Sequence, residues 1–171
     1  TWNSAIGGDE AALRAQSAIY RAIGNAVAKS GSEFIFLDLG PNLGALNRSV
    51  LSGSDFIIVP IAPDLFSIRG TENLGSKLQT WRRQRDQCHA AWNGEGLELP
   101  KGRPKFLGYV VQNHNLRNNN SGMTQGWQLF GNRVESAVQE NIVAKLSPLQ
   151  QVVPRLGGSY SLGKIPNLHS L

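Results

Sequence analysis

The stretch Phe34-Ile35-Phe36-Leu37-Asp38-Leu39-Gly40-Pro41 decides the fold. Its four consecutive apolar residues do not alternate with polar ones, which suits a strand covered on both faces, as in a parallel sheet. Asp38 then stands at the carboxyl end of that strand, where open α/β sheets hold their ligands. A carboxylate there reads either as a helix or turn cap or as a group placed to hold Mg²⁺, directly or through water, beside nucleotide phosphates. Gly40 and Pro41 follow it, a conformationally permissive residue and then a rigid one.

The same alternation of short apolar runs and helical periods extends in both directions. Upstream, Leu13, Ser17, Tyr20, Ile23 and Val27 recur at helical spacing, so a helix is expected over 9–29. Asp9-Glu10 suits its N-terminus and Ser30-Gly31-Ser32 its end. Downstream, Leu43 to Ser52 reads as a helix, Phe56-Ile57-Ile58-Val59 as a second buried strand stopped by Pro60, and Ile68 to Arg85 as a long helix. Asn93 to Pro104 has the glycines and prolines of a loop, and Phe106 to Val111 is a third strand. The segment 116–126 is polar and Asn-rich, with Asn118-Asn119-Asn120 as a loop, and Trp127 to Leu146 is helical. Val152-Val153-Pro154 reads as a short strand or the start of a loop, and the Gly-rich remainder as loop. Strands alternating with helices predict an α/β fold, a mostly parallel sheet flanked by helices.

Length and composition agree with this class. The 171 residues are expected to form a single domain, 1–171, long enough to bury a core. With 40% apolar and 17% charged residues, the chain has the composition of neither a disordered tail nor a membrane protein. The sequence contains no apolar run long enough for a membrane helix and no signal-peptide pattern at its start. It opens on Thr1 rather than Met, so it is expected to be a fragment or a processed product. One cysteine, Cys88, builds neither a disulfide framework nor a metal cluster, and a reducing cytoplasm is the expected setting. Cys88 and His89 are adjacent on a helix and do not face each other. His89, His114 and His169 are too scattered to read as a metal site. Gly94-Glu95-Gly96 and Gly157-Gly158 read as turns. The net charge of +5 permits contact with nucleic acid without requiring it.

The longer run from Asp38 to Arg48, continued by Ser54 to Gly70, by Asn73-Leu74-Gly75 and by Trp81-Arg82, resembles the Walker B and switch region of ParA/MinD-type P-loop ATPases. The resemblance is closest over 34–85 and partial over 106–117 and 163–171. It implies a P-loop NTPase fold of the deviant-Walker kind. Asp38 would be the Walker B carboxylate near Mg²⁺, acting through water, and Gly40 and Pro41 would belong to the switch that senses the γ-phosphate. Pro60 to Asp64 would run toward the nucleotide and the dimer face. Gln112 falls where MinD-like members read the base with Asn, and its amide has both a donor and an acceptor. Ile165-Pro166 resembles the loop that packs on the base, so Pro166 joins the expected nucleotide contacts.

The resemblance also implies cofactors and partners: ATP and Mg²⁺, an ATP-sandwiched homodimer, a ParB-like stimulator, non-specific DNA and no membrane. The expected function is nucleotide-switched partitioning of chromosome or plasmid DNA, in the cytoplasm and on the nucleoid where DNA is bound. Arg82, Arg83 and Arg85 on one helix, and the cluster Lys101, Arg103 and Lys105, read either as candidate DNA-phosphate contacts or as a solvated helix face and a basic loop. The family's Gly-rich, Lys-bearing phosphate loop has no counterpart in the sequence, and Gly163-Lys164 lacks its glycine lead. That loop is expected before residue 1 and a final helix after Leu171. The chain alone is therefore expected to bind ATP poorly and hydrolyse it negligibly. The alternative expectation is a non-catalytic remnant of the fold serving as a binding or dimerisation module. A MinD-like membrane-positioning role would need a C-terminal amphipathic helix.

Overall fold

The structure is a computed structural model that describes residues 2–114 and 133–166. The chain is α/β, with a three-stranded, wholly parallel sheet and helices beside it. It divides into two compact units, Thr1–Asp55 with Thr80–Pro104, and Phe56–Gln79 with Lys105–Leu171.

The sheet lies in the second unit. Strand β1 (Phe56–Ile61) pairs in parallel with β2 (Lys105–His114), which pairs in parallel with β3 (Ser161–Pro166). The first two strands stand where the apolar runs predict them, but β1 is not buried on both faces: Ile57 and Ile61 are buried while Phe56 and Ile58 are exposed. The third occupies the Gly-rich end that reads as loop. Neighbouring backbone groups explain it: Tyr109 N donates to Tyr160 O at 2.9 Å and aligns the chain before β3 enters the ladder. Val152 makes an isolated parallel bridge to Phe106. The buried side chains of Ile57, Ile61, Phe106, Tyr109, Val111 and Tyr160 join those of Val134, Val138, Ile142 and Leu146 in the core of this unit. The last four recur at helical spacing along a segment that is α over 133–138, π over Gln139–Val143, α over Ala144–Leu146 and 3₁₀ over Ser147–Leu149. Gly75, on helix α5 (Leu65–Ala91), meets this segment so closely that a Cβ would lie 1.9 Å from the Asn141 carbonyl oxygen.

The first unit is helical. Helices α1 (Trp2–Ile6), α2 (Glu10–Gln16), α3 (Ala18–Ser30) and α4 (Ala45–Gly53) precede the later part of α5. The single helix expected over 9–29 is interrupted at Ser17, whose buried hydroxyl donates to Leu13 O at 2.7 Å. Such local bonding competes with regular helix geometry. Asp9 caps α2, accepting from Ala12 N at 2.7 Å, and Gly31 ends α3 in the left-handed region, as its sequence position suggests. Ala5, Ala12, Leu13, Cys88, Leu97 and Leu99 form a core cluster with Ile6 and Trp92 against it.

The deciding stretch corrects the expectation built on it. Residues 34–37 are not a buried strand: they have no strand assignment, and Phe34 and Phe36 are 78% and 88% exposed. An apolar run becomes a buried strand only where its backbone finds ladder partners, and no described strand pairs with it. The expected polar segment 116–126 and the first residues of the expected helix 127–146 lie outside the described residues.

Candidate functional site

In the helical unit, Asp38 lies on the exposed segment leading to α4. Order begins just beyond it. The buried Asn47 side chain donates through Nδ2 to Gly40 O at 2.7 Å and to Asn42 O at 2.6 Å. Asn42 Oδ1 accepts from Gly44 N at 3.0 Å. The backbone of the proposed switch is thus fastened to the first turn of α4, while Gly40 and Pro41 keep their outer surfaces in solvent. Asn47 has the chemistry for this because one amide donates two hydrogen bonds.

In the sheet unit, the three parallel strands place Pro60, Gln112 and Pro166 toward their common carboxyl-terminal edge, through the register Ile61↔Val111, Val111↔Lys164 and His114↔Pro166. Gln112 is exposed there. Asp64 has a local duty: its carboxylate accepts from Ser67 N at 2.8 Å and Ser67 Oγ at 3.1 Å, capping the start of α5. The chain from Pro60 to Asp64 therefore fixes how α5 leaves the sheet.

Among the described residues no cluster of three or more His, Cys, Asp or Glu side chains could hold a metal by itself. A Mg²⁺ ion is commonly held by one or two carboxylates, waters and substrate phosphates, so the single exposed carboxylate of Asp38 fits a water-mediated contact of that kind.

The six basic candidates have different environments. Arg83 and Lys101 are exposed, as is Lys105 at the start of β2. Arg82 Nε donates to Asp86 Oδ2 at 2.8 Å and Arg103 Nη2 to Asp86 Oδ1 at 3.2 Å. Partial burial alone would raise the Asp86 carboxyl, but these two guanidinium partners hold it below the usual range. Arg85 does not belong to the exposed basic face. It follows Leu78 on the inward stripe of α5, is 1% exposed, and so offers no guanidinium to a duplex backbone.

Beside Arg85 lies a group to which the sequence analysis assigned no role. Arg48 on α4 is 8% exposed, and its Cζ stands 3.4 Å from the Trp2 ring centroid. Arg85 Cζ is 5.5 Å from the same ring, and the Trp81 ring lies 5.6 Å from Arg48 Cζ. Burial first, and then the charge of Arg85, push the Arg48 guanidinium down to about 10; burial likewise lowers Arg85. The signal was available in sequence: Arg48 falls one helical turn before Leu51 and Ser52, on the apolar side of α4.

These placements give the comparisons their context. Residues 11–89 match the family model of an AAA domain. The matched span runs from α2 to near the end of α5 and contains Asp38, Gly40, Pro41 and Arg48. Neither the comparison with curated proteins nor that with solved structures finds a match. Gln112 and Pro166 lie outside the AAA-domain match. Among the described residues no helix is long and apolar enough to cross a membrane.

Proposed function

We propose that this chain is part of a ParA-like nucleotide-switch ATPase that partitions chromosome or plasmid DNA. The observation that carries the proposal is the AAA-domain match over 11–89, which brackets the run Asp38-Leu39-Gly40-Pro41. On this reading ATP is sandwiched by a homodimer. Bound Mg²⁺ supplies charge neutralisation at the phosphates. Asp38 orients a water on that ion, and Gly40 and Pro41 move with the γ-phosphate while Asn47 anchors the loop behind them. Gln112 offers its amide to the adenine edge, and Pro166 packs near the base. Arg83, Lys101 and Lys105 contact DNA phosphates, and a ParB-like protein stimulates turnover. The protein works in the cytoplasm, on the nucleoid when bound to DNA.

The test uses the full-length native protein. Asp38→Asn is expected to lower Mg²⁺-dependent ATP hydrolysis by about 10- to 100-fold. Unchanged hydrolysis and Mg²⁺ dependence would remove Asp38 from the metal site. A second reading, a non-catalytic binding or dimerisation module, is favoured by the exposure of Phe34, Ile35, Phe36 and Leu37. It predicts no hydrolysis and a dimer whose stability is the same with and without Mg²⁺ and ATP.

A further inference from the structure

Arg48 and Arg85 present a problem of charge. Both are more than nine-tenths buried, yet Nε and Nη2 of Arg48 and Nε, Nη1 and Nη2 of Arg85 are buried without a hydrogen-bond acceptor. Buried polar groups are normally satisfied, and buried charges are normally paired. Among the described residues no carboxylate shifts either guanidinium, and Asp86, next to Arg85 in sequence, is held by Arg82 and Arg103. The remaining titratable neighbour, the Cys88 thiol, is pushed up by its own burial, although both arginines act to lower it, so it provides no counter-charge near neutral pH. The Trp2 face attracts a guanidinium but accepts no conventional hydrogen bond from it.

Several segments of this one unit converge on the pair. Trp2 comes from α1, Arg48 from α4, and Trp81, Arg85 and Cys88 from α5. The loop after α5 covers the Arg85 stem. Gly102, at φ +67°, lies so close that a Cβ would fall 2.2 Å from Arg85 Cγ, and its N–H donates to Ser52 O at 2.9 Å. A residue with a side chain would displace the arginine, so the loop holds the guanidinium inward.

We propose that Arg48 and Arg85 form an internal binding site for a phosphate-sized oxyanion, with the Trp2 and Trp81 rings as its walls. Two planar forks of N–H donors suit a tetrahedral oxyanion, which accepts from both at once. The near absence of exposed surface favours inorganic phosphate over a phosphoryl group attached to a nucleoside. The site is distinct from the nucleotide contacts proposed for Asp38 and Gln112, so either can fail without the other.

Indole rings beside the pair provide the readout. Inorganic phosphate titrated into the full-length protein at constant ionic strength is expected to change tryptophan emission saturably. Chloride and AMP at matched concentration are expected to leave it unchanged. Arg48→Lys keeps the charge but loses the fork, and is expected to weaken the phosphate response at least tenfold. A measurement without mutation guards against a misfolded variant: two arginine Nε–H resonances of the ¹⁵N-labelled wild type should shift along the same phosphate titration. Absence of a saturable response, an equal response to chloride, a response to AMP but not phosphate, or unmoved arginine resonances would overturn the proposal.

Discussion

Gly75 and Gly70 lie on the same helix and should answer the same substitution with opposite signs. In an exposed helix interior, Gly→Ala stabilises by about 1 kcal/mol, because alanine loses less backbone freedom on folding. At Gly70 an added Cβ meets nothing within 4 Å, so Gly70→Ala should gain most of that amount. At Gly75 the Cβ would lie 1.9 Å from Asn141 O and 2.9 Å from Asn141 C, both backbone atoms. An ordinary carbon–oxygen contact is ~3.3 Å, so the α5 and 133–149 backbones must separate by more than 1 Å or so. That movement strains the hydrogen bond from Asn141 Nδ2 to Thr71 Oγ1 at 3.0 Å and the one from Lys145 Nζ to Ser76 Oγ at 2.8 Å. Overpacking of this kind costs about 3 kcal/mol at the upper end of its usual range, leaving a net loss of about 2 kcal/mol after the helix-propensity gain. Urea unfolding followed by far-UV circular dichroism measures both variants, and the thermal midpoint of Gly75→Ala should fall by roughly 4–8 °C. A Gly75→Ala protein as stable as Gly70→Ala would refute the close approach of these helices.

Three other outcomes follow from the same structure. Gly108→Ala should destabilise the sheet unit by about 2 kcal/mol in urea unfolding, because its φ is +154° and a Cβ would fall 2.4 Å from Tyr160 O; wild-type stability would deny that contact. Burial alone would raise the Glu135 carboxyl, but hydrogen bonds from Tyr109, Gln139 and Ser159 hold it below the usual range. A depressed carboxyl contributes stability above its unfolded pKa that is lost as pH falls through its folded one, so Tyr109→Phe should destabilise more at pH 7 than at pH 3; equal urea-midpoint shifts at both would contradict this. Cys88 is fully buried, and that burial pushes its thiol up, so Ellman's reagent should label it slowly at pH 8 until the protein is unfolded; immediate labelling would place the sulfur at the surface.

Local chemistry was legible without the fold. Phe56-Ile57-Ile58-Val59 and Phe106 to Val111 announced strands, but the cover on both faces that a period-free apolar run suggests is missing from β1, which buries Ile57 and Ile61 and leaves Phe56 and Ile58 exposed. Asp9 and Gly31 punctuated helices through a side-chain acceptor and a left-handed backbone, both properties of single residues. The run from Asp38 to Arg48 and its continuation to Gly70 resembled ParA/MinD-type ATPases before any coordinates, and the AAA-domain match over 11–89 falls on the same run. Other features needed partners distant in the chain. Ser161–Pro166 is a strand because it pairs with β2, whereas 34–37 pairs with no described strand. Arg85, in sequence one of three similar arginines, was separated from Arg83 by the rotation of α5, which turns one inward and the other to solvent. Arg48 became its neighbour only when α4 and α5 packed, 37 positions apart in sequence. Sequence thus determined the propensities and the candidate carboxylate Asp38, because these depend on a residue and its nearest neighbours. Tertiary structure decided pairing, burial and the meeting of two guanidinium groups, because hydrogen-bond partners and the removal of water belong to the folded chain as a whole.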